Sequence, residues 1–130
     1  MIKTRIFTSG LLIRERRILL LKRRADDGRN PDKWDCLGGH FLSEESGEDC
    51  MIREAKEESG LEVRITKSGR VFEYTDRYGR AVGLPYLLES DSNRARPTEH
   101  SRYVWVLPEA VSRYDCVPEV GILLRRFRLA

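Results

Sequence analysis

Three cysteines are too few, and too scattered, to organise this chain. Cys36, Cys50 and Cys116 are odd in number and no two have close metal-ligand spacing. That excludes a disulfide framework and a structural zinc site, and fits reduced thiols. A long apolar run is also missing. No stretch approaches the roughly 20 residues of a membrane-spanning helix. Residues 1–10 carry Lys3 and Arg5 where a secretion signal needs an apolar segment. The expectation is a complete cytoplasmic protein with no membrane partner. Charge of one sign is scarce: 24 basic and 21 acidic residues leave a net +3. That excess is too small to argue for a nucleic acid polymer or a membrane as partner. Repeats, low-complexity tracts and interdomain linkers are absent, and 130 residues suit a single domain with a real core.

What the chain does have is charge in blocks. Acid concentrates in Glu44–Glu58, and base in Arg14–Arg24 and Arg125–Arg128. Ile2–Ile13 and Ile18–Leu21 read as strands of a hairpin around Glu15-Arg16-Arg17. Ala25–Asp32 reads as a loop, and Trp34–Leu37 as a short strand running into Gly38-Gly39. The strongest helix follows. Ser46 is its N-cap with Asp49 three residues on, Met51, Ile52 and Ala55 lie inside it, and Gly60 ends it. Leu61–Ile65, Arg70–Tyr74, Ala81–Glu89 and Tyr103–Val106 read as strands, with a turn at Arg77–Arg80 and a polar loop at Ser90–Pro97. A last helix starts near Pro118, with Val120, Leu123, Leu124 and Phe127 facing the core. Strands with one early and one terminal helix suggest an α/β sandwich.

The chemistry concentrates between Gly39 and Leu61. Glu54, Glu57 and Glu58 stand at i, i+3 and i+4 and so share one helical face, where like charges repel by a few tenths of a kcal/mol per pair. A divalent cation reverses that sign, and hard oxygen ligands suit magnesium or manganese. Taken alone, three such glutamates are more often a solvated face. The surroundings change the balance. Gly38-Gly39 lets backbone approach a phosphate or offer a carbonyl, Glu45 stands just before the helix, and Arg53 precedes Glu57 by one turn.

Gly39, five residues, Glu45, seven residues, then Arg53-Glu54-Ala55-Lys56-Glu57-Glu58-Ser59-Gly60-Leu61 resembles the Nudix box at every defined position. A chance match is on the order of 10⁻⁹ per starting point. Leu19–Arg24, Lys33-Trp34, Glu99-His100, Trp105 and Leu107–Ala110 extend the resemblance, which is to MutT-like members, over most of the chain. It implies an αβα sandwich with a mixed β-sheet and a loop–helix–loop motif. It implies an Mg²⁺-dependent (or Mn²⁺-dependent) hydrolase of nucleoside diphosphate derivatives, commonly a homodimer. Carried over, Glu54, Glu57 and Glu58 are metal ligands and one of them the base. Gly39 offers its carbonyl to the metal, Arg53 orients glutamates, and Glu45 supports the site. Gly38, His40 and Arg24 contact substrate, with Arg24 at its phosphate. Glu99 is a further acid. Leu37, His40 and Glu44 depart from the usual family pattern, where Pro, Lys or Glu, and Gly respectively are common.

Within that resemblance, nucleotide-pool sanitising is favoured by Lys22-Arg23-Arg24. A catalytically silent nucleotide sensor and an isopentenyl diphosphate isomerase-like enzyme are the alternatives. Tyr74, Tyr78, Tyr86, Trp34 and Phe7 are the candidates for stacking on a base. Cys36 and Cys50 read as packing thiols, His100 as structural, and Arg125, Arg126 and Arg128 as the wet face of the last helix.

Overall fold

The computed structural model describes residues 3–129. Ile2, assigned by pattern to the first strand, lies outside them. The strands are β1 (Thr4–Arg14), β2 (Arg17–Arg23), β3 (Trp34–Asp35), β4 (Val63–Ser68), β5 (Phe72–Asp76), β6 (Gly79–Ser90) and β7 (His100–Val106). The helices are α1 (Gly47–Ser59) and α2 (Pro118–Arg126), with a 3₁₀ turn at Pro108–Arg113. The hydrophobic pattern gives no sign of that turn. Its six residues bury only Val111, too little to leave a period.

Among the described residues the strands form one seven-stranded sheet along β3-β2-β1-β6-β4, with β5 also on β6 and β7 also on β2. β1 and β6 run parallel over ten residue pairs, whereas the other pairings are antiparallel. The sheet is therefore mixed. No helix among the described residues is long and apolar enough to cross a membrane.

Strand alternation divides the core. Leu11, Ile18 and Leu20 point to one face and pack with Val120, Leu123 and Leu124 of α2. Leu12, Leu19 and Leu21 point to the other and pack with Met51 and Ala55 of α1. The unbroken run Ile18–Leu21 is thus the mark of a strand covered on both sides. The sheet lies between the two helices, as an αβα sandwich requires.

The β1–β2 hairpin closes through Glu15 (φ 52°) and Arg16 (φ 69°) between the paired Arg14 and Arg17. Two central residues in the left-handed region make a type I′ turn, whose twist matches the strands. β1 then parts from β2 after two pairs. Segment 37–40 pairs with β1 there, through Gly10↔Leu37 and Phe7↔His40. This splaying of the sheet positions Gly38-Gly39.

Candidate active site

Helix α1 begins where the capping residues place it. The Asp49 amide donates to Ser46 Oγ at 3.1 Å, and Gly60 closes the helix at φ 75° with its amide on Lys56 O. Cys50, Met51 and Ala55 are buried against the sheet, and Glu54 and Glu58 meet the Gly38-Gly39 segment while Glu57 stands at its exposed edge. Ile52 lies within the helix as the sequence places it, and its side chain is 41% exposed. It lies about 100° around the axis from Met51, off the buried stripe.

Arg53 ties this helix to the loop before it. Its Nε donates to Glu45 Oε2 at 2.6 Å and Nη2 to Glu45 Oε1 at 3.0 Å. Nη1 donates to Glu54 Oε1 at 2.8 Å and Glu57 Oε2 at 3.0 Å, and Nη2 also reaches the His40 carbonyl at 3.0 Å. Glu45 accepts the Leu42 amide as well, at 3.0 Å. Its bonds to Arg53, and then to that amide, hold its carboxyl down at about 2. Glu45 is therefore a permanent anion that keeps Arg53 in place. Glu44, where Gly is common in the family, holds φ 65°, so the loop keeps a glycine-like backbone without the glycine.

Glu58 accepts the Gly38 amide at 2.8 Å, and burial pushes its carboxyl well above the usual range. Burial also raises Glu54, against the pull of Arg53, and Glu57 and Glu99 add repulsion. Glu99 arrives from the loop before β7. That loop is moored to the end of α1 by Thr98 Oγ1 on Glu57 O at 2.9 Å and by the Arg96 amide on Ser59 O at 2.6 Å. A Cβ on Gly39 would overlap the Glu54 carboxyl, and one on Gly38 (φ 146°) would overlap the Thr8 carbonyl. The Gly39 carbonyl accepts the Thr8 amide at 2.9 Å, whereas no donor among the described residues reaches the Gly38 carbonyl.

This donor set suits a hard divalent cation. Carboxylates share one helical face, burial and repulsion raise the proton affinity of Glu54 and Glu58, and a backbone without side chains lies against them. Among the described residues no three His, Cys, Asp or Glu side chains already close around one point. Arg53 Nη1 stands between Glu54 and Glu57, and Glu57, 57% exposed, is free to turn.

A cleft of about 600 Å³ opens on the other side of the Gly38-Gly39 segment. His40 borders it, Phe7, Tyr74 and Tyr78 supply aromatic surface, and Arg23, Arg29, Lys33 and Arg77 supply positive charge. At its inner wall lie two acids. Asp35 bonds Arg23 Nη1 at 2.6 Å, yet burial and the nearby Glu119 raise its carboxyl to about 6. Glu119 accepts from Tyr74 Oη at 2.6 Å. Tyr78 lies against the guanidinium groups of Arg29 and Arg77, 4.5 and 5.0 Å from its ring centre.

The structure thus brings together Gly38, Gly39, His40, Glu45, Arg53, Glu54, Glu57, Glu58 and Glu99. It leaves Arg24 aside: β2 ends at Arg23, and Arg24 turns to solvent beside Asp26, 3.5 Å away. Of the two, Arg23 lines the cleft, its guanidinium held by Asp27 and Asp35. Trp34 packs on Tyr114 and Tyr86 is buried, so neither lines the cleft. Cys36 and Cys50 are buried free thiols, pushed up by burial. His100 is largely buried, and burial followed by the charge of Arg23 lowers it to about 4. Sequence reasoning misses Asp35 and Glu119. Each looks ordinary in its own segment, and only the meeting of β3 with the start of α2 makes them a pair.

The model of the NUDIX domain matches residues 4–127. A MutT-like protein of Streptomyces ambofaciens is 31% identical over 108 residues, which cover 82% of this chain and 66% of that protein, so the chain spans just under two-thirds of that relative's length. A MutT protein structure from Methanosarcina mazei Go1 superposes with a TM-score of 0.82 at 22% identity, covering 96% of this chain and 94% of that one. An Ap4A hydrolase structure from C. elegans superposes with a TM-score of 0.78 at 21% identity, covering 95% and 94%. With the box residues gathered on α1 and the family model spanning nearly the whole chain, the protein belongs to the Nudix family.

Proposed function

We propose that this enzyme cleaves the diphosphate linkage of a nucleotide-like small molecule, with Mg²⁺ (or Mn²⁺) held by Glu54, Glu57 and Glu58. The observation that carries this reading is the juxtaposition at Gly38-Gly39. One side of that segment touches the acidic face of α1, and the other borders the cationic, aromatic cleft. Of the two glycine carbonyls, that of Gly38 is the better supported as a ligand, because the Thr8 amide engages Gly39. Glu99 stands close enough to Glu54 to join them.

When bound, the metal supplies positive charge against the diphosphate and acidifies water at the site. The chain's own residues do the positioning. Arg53, anchored by Glu45, holds Glu54 and Glu57. The Gly38 amide holds Glu58, and one of the three glutamates takes the proton of the attacking water. Arg23, in place of Arg24, faces substrate phosphate with Arg29, Lys33 and Arg77. Phe7 offers a surface for a base, and Asp35 and Glu119 offer acceptors to its amino or imino groups. Asp35, raised to about 6, also has a donor form near the acid end of the physiological range. Damaged nucleoside triphosphates of the cytoplasmic pool are the favoured substrates.

The test is a hydrolysis screen with Mg²⁺ and Mn²⁺ over canonical and oxidised nucleoside triphosphates, ADP-ribose, dinucleoside polyphosphates and nucleotide sugars. Wild type and Glu57→Gln run in parallel. Turnover that requires the metal and falls by several kcal/mol of barrier in Glu57→Gln supports the reading. Folded protein with no turnover on any substrate overturns it and favours a nucleotide sensor or an isomerase.

A further inference from the structure

A second concavity, of about 450 Å³, lies between the β4–β5 connection and the end of α2, and shares no residue with the cleft. Lys67, Arg70, Arg126 and Arg128 line it, with Gly69 and Phe127 in its wall and no carboxylate. Some exposed cations elsewhere have acidic partners, as in Lys33–Asp115 and Arg64–Asp91, both at 3.0 Å, whereas others, such as Arg17, Arg94 and Arg113, have none among the described residues. Among the described residues none of the four cations lining the concavity has one.

Two details describe how these cations are held. Arg126 is held at one end only: its Nη2 donates to Val71 O at 3.4 Å, while its Nε is buried without a partner. Arg128 holds φ 57° at the helix end. The Leu129 amide reaches Leu124 O at 2.8 Å and the Arg128 amide reaches Arg125 O at 3.1 Å, the pattern in which glycine usually occupies this position. Arg128 thus stands where glycine is usual, as Glu15, Arg16 and Glu44 do elsewhere in the chain. The backbone bonds already satisfy these last carbonyls. Attraction to the helix C-terminus accounts for Arg125 and Arg126. It leaves Lys67 and Arg70, which come from the sheet, without explanation. Gly69 keeps the wall open, since a Cβ there would meet Arg126 Cγ at 3.2 Å and Phe127 Cε1 at 3.4 Å.

We propose that this is a second binding site, for a compact polyanion of the inorganic or nucleotide polyphosphate class. Four converging positive charges match a short phosphate chain, and Ser68 supplies a hydrogen bond. The same phosphates occur in a nucleic acid strand. The small volume favours the short chain, and the test separates the two.

The experiment is an amide NMR titration of ¹⁵N-labelled protein with tripolyphosphate, in chelator and without phosphate buffer. Saturable shifts at Gly69, Arg70 and Arg128 are expected. Their apparent affinity should fall at least about tenfold in Lys67→Ala/Arg128→Gly, a loss of about 1.4 kcal/mol. Arg70→Ala, on the exposed connection, gives an independent arm with the same expectation. Thermal melts of each variant establish folding. Absence of saturable shifts at these amides, or unchanged affinity in both folded variants, overturns the proposal. A single-stranded oligonucleotide that binds the same amides more tightly than tripolyphosphate also overturns it, in favour of a nucleic acid strand. Weaker binding of the oligonucleotide supports it.

Discussion

Arg53 and Glu45 are joined by two hydrogen bonds, Nε to Oε2 at 2.6 Å and Nη2 to Oε1 at 3.0 Å, across the start of α1. The pair fixes the plane of the guanidinium, and the free edge of that plane meets Glu54 and Glu57. Both Arg53→Ala and Glu45→Gln should therefore lower turnover by about 10–100-fold, the usual loss when a residue that orients ligands is removed. Arg53→Lys should not rescue, because an ammonium lacks the two-edged fork. Steady-state kinetics with circular dichroism as a folding control checks this. Full activity in Arg53→Lys would remove the orienting role.

The two glycines of the Gly38-Gly39 segment should respond differently to alanine. At 39 the new methyl meets the far end of a flexible side chain, Glu54, which swings aside. Gly39→Ala should melt near the wild-type temperature and lose about 10–100-fold in activity. At 38 the methyl meets the Thr8 backbone, and the residue must hold φ 146°. Gly38→Ala should lose about 3 kcal/mol of stability. Urea denaturation and kinetics on the same preparations separate the two effects. Equal melting temperatures for both variants would contradict the backbone argument.

Asp35 binds its proton more tightly in the folded protein than in the unfolded chain, since burial raises it from 3.8 to about 6. The folded state then carries more protons between those values, so stability falls as pH rises through that window. A gap of roughly 2 pH units at 1.36 kcal/mol each makes the loss about 3 kcal/mol. Glu58, raised by burial too, adds in the same direction from its ordinary 4.5 upward. His100, lowered from 6.5 to about 4, gives the opposite slope over the same window, so denaturation in chelator from about pH 4 to about pH 7 should show the Asp35 contribution as the difference between wild type and Asp35→Asn. An unchanged profile in Asp35→Asn would mean that Arg23, at 2.6 Å, keeps Asp35 ionised in the fold.

Glu15 and Arg16 occupy backbone that asparagine and glycine prefer. Glu15→Asn/Arg16→Gly should stabilise the protein by about 1 kcal/mol without changing kinetics, because the hairpin tip lies away from the cleft. Thermal unfolding of the double variant measures it. Destabilisation would point to a side-chain role for the exposed Glu15 or Arg16.

Local features of the chain are legible in the order of its residues. Ser46, Asp49 and Gly60 mark the ends of α1, since capping is an affair of neighbours within one turn. The i, i+3, i+4 spacing alone puts Glu54, Glu57 and Glu58 on one face, partial alternation marks β1, and a short unbroken apolar run marks β2. These rest on interactions spanning a few residues, so the sequence by itself determined them. Tertiary structure decided what those faces meet. Whether Arg23 or Arg24 enters the cleft depends on where pairing with β3 and β7 ends, which no local period encodes. Asp35, Tyr74 and Glu119 come from β3, β5 and α2, and converge only because the two buried faces of the sheet set the register of every strand. Lys67 and Arg70 face Arg126 and Arg128 for the same reason. Side chains distant in sequence meet through packing, and packing belongs to the whole fold.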